Sequence, residues 1–485
     1  MVSFDSQGVR AAVWRITNTR ALDSPGLHEQ LVLNQTRNVT LDNKYILHWY
    51  LWFTSNMREF VGVDPQISRL EHVNQAHPKK KLKQAAFRRL TRIGRSLIGN
   101  WIERIEYKLK SGELLRSGKA PRAIADLTTE GSLVGGYLMD NVKNVFSIPY
   151  TVQHGFTSQA HIQFIKVPNL DMLDEVFDNL VRGKDNYFYF FSDDSCIGVT
   201  CSDGRWFANV DISQCDGSNG RPVFSLLRSA MKVDPSVSTD VDETFDQLSM
   251  PCYVHSTMNR KKWVKLTPSE PVLYSGSVLT TCTNNMANTL IAIEFFAKWR
   301  GGTRKEAETL LQNSAREMGF IVTCEDCDSY HHLQFLKHSP VQGGGHKLQA
   351  ILNLGVPLRK FGTSTKPIPG KATTTYKDRC DAHNSSVVVG YQHMGEHVVH
   401  DALKTKILVG STRIQSNELD SWYIQNVSGS VRTRVDSTEL GVRYGLRGEE
   451  VEALANGIRG TGYGQILRSH ELDAIFLKDY GYKRE

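Results

Sequence analysis

Residues 187–199 read YFYFFSDDSCIGV. The aromatic run NYFYFF (186–191) is bounded by polar residues and has the composition of a strand. CIGVT (196–200) is a second short strand, and Ser192-Asp193-Asp194-Ser195 between them carries hairpin-turn chemistry. Read alone, two adjacent carboxylates at a hairpin tip are ordinary turn residues. The next residues change that reading. A short polar turn, CSDGR (201–205), leads into WFANVDISQCDGSNG (206–220), whose first half alternates as a strand and ends on Asp211. Five residues further on stands Asp216, and Pro222 then opens the helix PVFSLLRSAM in its favoured first-turn position. A turn as short as CSDGR joins adjacent antiparallel strands directly, so the strand ending at Asp211 pairs beside the hairpin. Strand-end aspartates brought together in this way make a hard, oxygen-rich site for a divalent cation.

A third segment, YSGSVLTTCTNNMANTLIAIEFF (274–296), opens on Ser275-Gly276 and runs into an apolar helical stretch. A glycine before a helix lets the backbone approach a ligand or a neighbour closely. Thr280 and Asn284 lie four residues apart, on one helical face. The plain alternative is a capped core helix with a polar first turn.

The whole chain has 485 residues, 40% hydrophobic and 22% charged, an ordinary globular mixture with room for several lobes. Its net charge of +7 is mild, so clustering of charge matters more than the total. Eight cysteines in no framework spacing read as reduced thiols. YILHWYLWF (45–53) is too short to span a bilayer and contains His48, so no integral membrane segment is expected. The first thirty residues lack a signal-peptide pattern, and there is no internal repeat.

Taken together, the three segments resemble the palm motifs of viral RNA-dependent RNA polymerases. VDISQCDG resembles motif A with its D-x4-D spacing, SGSVLTTCTN resembles motif B with S-G-x3-T-x3-N, and FFSDDS resembles motif C with Ser192 in place of the usual glycine. The order here is C, A, B, which resembles the permuted palm of the permutotetraviruses and birnaviruses. The acidic pair at the tip, where birnaviruses carry Asp-Asn, leans toward the permutotetravirus side. Further segments follow the same layout. TRKEAETLLQNSAREMG (303–319) with FIVT resembles motif D, LQFLKHSP (333–340) resembles motif E, and SGKAPRAIADL (117–127) resembles motif F. Thr303 and Glu306 form a capping box for the motif D helix, and Gly319 stops it.

The resemblance implies an α+β, right-hand polymerase fold with a circularly permuted palm active site. Residues 1–186 would be fingers and N-terminal extension, 187–231 palm, 232–272 a fingers insertion, 273–340 palm again, and 341–485 thumb. It implies template-directed RNA synthesis from ribonucleoside triphosphates in the host cytoplasm, in a replication complex or a virion, alongside viral capsid or replication proteins. Asp193, Asp194 and Asp211 would be catalytic and hold Mg²⁺, or Mn²⁺ in its place, as a pair of ions about 3.5–4 Å apart. Asp216, Ser275, Thr280 and Asn284 would select the ribose. Lys119 and Arg122 would hold the triphosphate, with Lys110 and Arg116 as weaker members of the same wall.

One departure concerns the general acid. Motif D usually supplies a lysine, whereas CEDCDSYHH (324–332) has none, leaving His331 or His332 as substitutes. Cys324-x2-Cys327 with those histidines also offers nitrogen and sulfur ligands for zinc, although two reduced cysteines beside a turn is the simpler account.

The densest basic run, HPKKKLKQAAFRRLTRIGR (77–95), carries Lys79, Lys80, Lys81, Lys83, Arg88 and Arg89, with Leu82, Ala86, Leu90 and Ile93 as a rough apolar stripe. Such a helix lines an RNA channel, meets a membrane surface or targeting receptor, or is simply a solvated face. RNA contact is the reading adopted, with Lys337 of the motif E-like segment added to it. Two rival functions stand beside the polymerase. One is another palm-type nucleotidyl transferase such as a reverse transcriptase, which the pairing of D-x4-D with an asparagine disfavours. The other is a non-catalytic RNA-binding or virion-associated protein.

Overall fold

The computed structural model describes residues 44–61, 65–75, 80–93, 105–109, 123–152, 159–255, 263–343, 347–362, 375–391, 394–406, 432–462 and 465–481. Lys79, Lys110, Arg116, Lys119 and Arg122 lie outside them.

The chain is a mixed α/β protein built on a six-stranded sheet. Its order is β10 (Val322–Asp326), β7 (Gly204–Ile212), β6 (Asp194–Cys201), β5 (Asn186–Phe191), β4 (Ala160–Phe164) and β3 (Tyr150–Val152). β5, β6 and β7 form an antiparallel meander joined by two-residue turns, with Phe191 paired to Asp194 and Cys201 to Gly204. The sheet is covered on both faces, which is why YFYFF (187–191) is aromatic throughout instead of alternating with polar residues. Phe188, Phe190, Ile197, Val199, Ala208 and Val210 are buried on one side with the helices α4 (Thr129–Ser147), α9 (Thr280–Lys298) and α10 (Arg304–Glu317). Tyr189 and Cys196 pack on the other side against Leu173, Val176, Phe177 and Leu180 of α5 (Leu170–Arg182). Each buried phenyl there contributes about 1.5–3 kcal/mol. Gly198 permits the close approach of α5, because a Cβ at that position would stand 2.6 Å from the Leu180 carbonyl oxygen.

The sheet begins earlier than the sequence reading placed it. β4 runs parallel to β5 through the α5 crossover, with Ala160 opposite Asn186, and β3 adds to its edge. AHIQF carries His161 and Gln163 on its polar face and is only five residues long, so its strand pattern is easily passed over. Residues 232–272 return to an earlier part of the chain. There β8 (Cys252–His255) pairs with β9 (Trp263–Leu266) and lies parallel to β1 (Ile105–Leu109), itself paired with β2 (Ala123–Asp126). The helix α8 (Pro235–Asp246) is held to the N-terminal helices by buried Asp240, which pairs with Arg69 of α2 (Pro65–Asn74) and accepts from the Tyr137 hydroxyl at 2.5 Å.

The motif D-like helix α10 has the expected capping box between Thr303 and Glu306, and Gly319 behind it takes φ +83°. The C-terminal part has its own apolar core, formed by β11 (His338–Gln342), β12 (Leu348–Leu352) and helices including α13 (Val398–Lys404), α15 (Gly448–Gly460) and α16 (His470–Tyr480). The boundary drawn at 340 therefore cuts a hairpin, since Pro340 pairs with Ala350. Two buried or half-buried arginines bolt this part to the central sheet. Arg443 donates to the carbonyls of His331, His332 and Leu333 and pairs with Asp479, while Arg432 donates to both carboxylate oxygens of Asp174 on α5.

Three histidines buried in this part are held neutral by burial. The His338 pKa is lowered to about 4, that of His397 to about 3, and that of His400 is lowered as well. Unfolding lets each take up a proton near the ordinary histidine value, so between there and pH 4 the unfolded chain binds more protons. Stability from these groups is thus complete above about pH 6.5 and is lost as pH falls toward 4, by on the order of 1–3 kcal/mol for His338. Denaturant midpoints at pH 7.5, 5.5 and 4.5 check this, and His338→Asn is expected to flatten the slope.

Candidate active site

The tip of the β5–β6 hairpin is Ser192-Asp193. Asp194 starts β6 directly opposite Asp211 on β7, so the two side chains share one face of the sheet at adjoining strand positions. Asp193 projects from the turn beside them and is exposed, as is Asp211, while Asp194 is half-buried. The electrostatic consequence falls on Asp194. Burial, then the charge of Asp193 and to a lesser extent that of Asp211, raise its pKa to about 6, and Lys337 pulls the other way. Lys337 occupies a tight turn before β11 in which Leu336 and Lys337 both take positive φ, +51° and +66°. The structure therefore places Lys337 near the acidic cluster.

Among the described residues, no three or more His, Cys, Asp or Glu side chains form a group that could hold a metal ion by themselves. The donor set at the hairpin tip nevertheless suits a hard divalent cation that takes its remaining ligands from phosphate or water. It offers carboxylate oxygens only, two of the three groups are exposed, and their repulsion registers in the Asp194 carboxyl.

A second network adjoins the first. Asp216 stands in the short helix α6 (Cys215–Ser218), accepts from Ser275 Oγ at 2.6 Å on one oxygen and accepts from Asn284 Nδ2 at 2.9 Å on the other. Asn219 Nδ2 donates to Asn284 Oδ1 at 2.9 Å. Three of the four residues assigned to ribose selection are thus in direct contact. Thr280 is not part of this contact set: its hydroxyl donates to the Tyr274 carbonyl at 3.1 Å and braces the loop. Gly276 explains how the loop sits. It takes φ +98°, a Cβ there would stand 2.6 Å from the Ala125 carbonyl oxygen, and the Ala125 N–H donates to the Ser275 carbonyl at 2.7 Å. Gly276→Ala is therefore expected to lower stability by about 1–3 kcal/mol and loosen the loop, read as a reduced denaturant midpoint at unchanged slope.

No family model matches the sequence. No curated protein matches it. Solved structures similar to the chain include the birnavirus VP1–VP3 complex, at 10% identity and a TM-score of 0.45, over 88% of this chain and 60% of that one. The RNA polymerase VP1 from Infectious Pancreatic Necrosis Virus is similar at 10% identity and a TM-score of 0.44, over 96% of this chain and 66% of that one. The chain spans less than two thirds of the length of either.

The basic helix is α3 (Lys80–Ile93). Its buried side is Ala86 with Phe87 and Leu90, packed near Val73 and Leu133, whereas Leu82 of the expected apolar stripe is exposed. Two of its cations are engaged within the protein: Arg89 pairs with Glu130, and Lys83 Nζ donates to His72 Nε2 at 3.3 Å. Lys81 and Arg88 are exposed and Lys80 is half-exposed, and Arg89 stays about half exposed while paired.

In the loop after β10 the two cysteines are free thiols, the simpler of the accounts above. Cys327 Sγ donates to the Glu325 carbonyl, and Cys324 packs at the edge of the main core. His331 is stacked on Tyr330, bonded to Ser329 Oγ through Nδ1, and has Nε2 2.9 Å from Glu439 Oε1. His332 adjoins β7, its carbonyl accepting from Asn209, two residues before Asp211. Burial and the charges of Lys478 and Arg443 lower the His332 pKa, so it is a poor proton donor at neutral pH.

Sequence reading passed over Asn219, Asn285 and Asn288. The last two are fully buried amides in a helix buried on all sides. The signal was present in NNMAN (284–288), since polar residues inside an apolar helix need partners.

Proposed function

We propose that the chain is a template-directed RNA polymerase of the right-hand type, with fingers, a palm whose motifs run C, A, B, and a thumb. The observation that carries this reading is the cross-strand opposition of Asp194 and Asp211, with Asp193 at the adjoining tip and the Asp216–Ser275–Asn284 network beside it. A catalytic acidic cluster and a hydroxyl-reading carboxylate lie together, as synthesis from ribonucleotides requires.

In the reaction, the 3′-hydroxyl oxygen of the growing strand forms a bond to the α-phosphorus of a nucleoside triphosphate. The bond from that phosphorus to the bridging oxygen breaks, pyrophosphate leaves, and the hydroxyl proton passes to solvent. Asp193, Asp194 and Asp211 would hold Mg²⁺, or Mn²⁺, which when bound supplies positive charge to the attacking and leaving oxygens. Lys337 tempers the repulsion within the cluster and meets RNA phosphate. Asp216, held by Ser275 and Asn284, accepts from the ribose 2′-hydroxyl, a contact that a deoxynucleotide cannot make. Lys119 and Arg122 grip the triphosphate, and Lys79, Lys80, Lys81 and Arg88 face the RNA backbone. The partners are thus RNA and ribonucleoside triphosphates, together with other viral replication or capsid proteins in the infected cell.

The test is complementarity. With polycytidylate as template the chain is expected to incorporate GMP from GTP and no other nucleotide, and with polyuridylate AMP from ATP. Incorporation that ignores the template would favour an untemplated nucleotidyl transferase, and binding of RNA with no incorporation would favour a non-catalytic RNA-binding protein.

A further inference from the structure

Ser192 takes φ +58°, the left-handed region that glycine enters freely and serine does not. It is the residue before Asp193, so its backbone sets the direction in which that carboxylate leaves the turn. Every polar group of Ser192 is met by an asparagine of one helix. Its N–H donates to Asn285 Oδ1 at 2.9 Å, its carbonyl accepts from Asn288 Nδ2 at 2.7 Å, and its Oγ accepts from Asn284 Nδ2 at 3.3 Å. Positions 284, 285 and 288 present neighbouring parts of the helix to one turn.

The amides of Asn285 and Asn288 have few other uses. Among the described residues Asn285 Nδ2 and Asn288 Oδ1 are buried without a hydrogen-bond partner, and Asn288 Nδ2 makes one further bond, to the Asn284 carbonyl of its own helix. A buried amide with one end unsatisfied is a poor choice for packing alone, and an apolar side chain would serve the core better. The ends that are satisfied are those aimed at Ser192. Asn284 also joins this turn to the ribose network, because the same Nδ2 that reaches Ser192 donates to Asp216.

Resting on the polymerase reading above, we propose that Asn285 and Asn288 are positioning residues that clamp Ser192 in its left-handed conformation and so fix the Asp193 carboxylate. They supply by hydrogen bonding the conformation that a glycine at position 192 adopts without help. This predicts a rescue that a purely structural role does not. In the Asn285→Ala/Asn288→Ala variant the turn relaxes, and kcat for single-nucleotide incorporation falls about 100-fold, the scale of a misplacement near 1 Å. KM for the nucleotide stays within about twofold, because ground-state contacts are untouched. Adding Ser192→Gly to that variant restores kcat at least about tenfold, since glycine accepts positive φ unaided.

The second readout is Mn²⁺ affinity, measured by electron paramagnetic resonance without nucleotide. It weakens in the asparagine variant and recovers with Ser192→Gly, and circular dichroism establishes that each variant is folded. Failure of Ser192→Gly to restore both readouts, or an asparagine variant indistinguishable from the native chain in both, overturns the clamp. A native chain with no templated incorporation overturns the polymerase reading instead. The clamp is then judged on Mn²⁺ alone: loss with glycine rescue upholds it, and any other pattern overturns it.

Discussion

Asp193→Asn is expected to reduce nucleotide incorporation by on the order of 10³-fold or more while leaving RNA affinity within about twofold. The substitution keeps size and turn chemistry, because asparagine suits a turn as well as aspartate does. It removes one negative charge from an exposed tip and disturbs no packing. On the proposed reading, what is lost is a charge that would hold a cation against the reacting phosphate. The same change has a second signature in metal-free buffer. The charge of Asp193 is one of the causes that raise the Asp194 pKa to about 6, so in the variant that carboxyl titrates lower. Single-turnover incorporation and filter binding of labelled RNA separate the two quantities. Equal loss of both would mean that Asp193 serves RNA binding or folding instead of chemistry.

The second large effect is on sugar discrimination. In Asp216→Ala, Ser275 Oγ and Asn284 Nδ2 lose a shared acceptor, and the 2′-hydroxyl loses its partner. Sites built around a hydroxyl reject the analogue lacking it by as much as 10⁴–10⁵-fold, and removing one member of such a network is expected to cut the preference for CTP over dCTP by about 100-fold. The change falls mainly on the ribonucleotide, because the deoxynucleotide never used the contact. The ratio of kcat/KM for the two nucleotides on one template measures it. A ratio unchanged within about threefold would remove Asp216 from the selection of ribose.

The parts of the site legible in the sequence are those fixed by local rules. Strand composition, the turn residues 192–195 and the short CSDGR turn together indicate that β5, β6 and β7 form a meander, although the turn closes on Ser192-Asp193 alone, so that Asp194 and Ser195 belong to β6 and Asp194 pairs with Asp211. The capping box at Thr303 and the proline in the first turn of α7 (Arg221–Met231) are equally local. Residues that act across long separations were harder to read. Lys337 reaches the Asp194 cluster through a turn of positive φ that Leu336 and Lys337 do not advertise by composition. Arg89 and Lys83 look like free cations in a basic run until α4 supplies Glu130 and the N-terminal helices supply His72. The strands at 150–164 and 252–266 are short, and their partners lie far away in the chain or across a helical crossover, so periodicity alone does not place them. Asn285 and Asn288 were visible as polar residues in an apolar helix, but their target, a serine some 90 residues earlier, was not.

The most direct measurement is ribonucleotide incorporation on a homopolymeric RNA template with Mg²⁺ or Mn²⁺, comparing the native chain with Asp211→Ala. The account predicts incorporation that requires the divalent cation and is abolished by the substitution, with RNA binding retained in both proteins. Absence of incorporation by the native chain with either cation while RNA is bound, or incorporation that survives in Asp211→Ala, would contradict it.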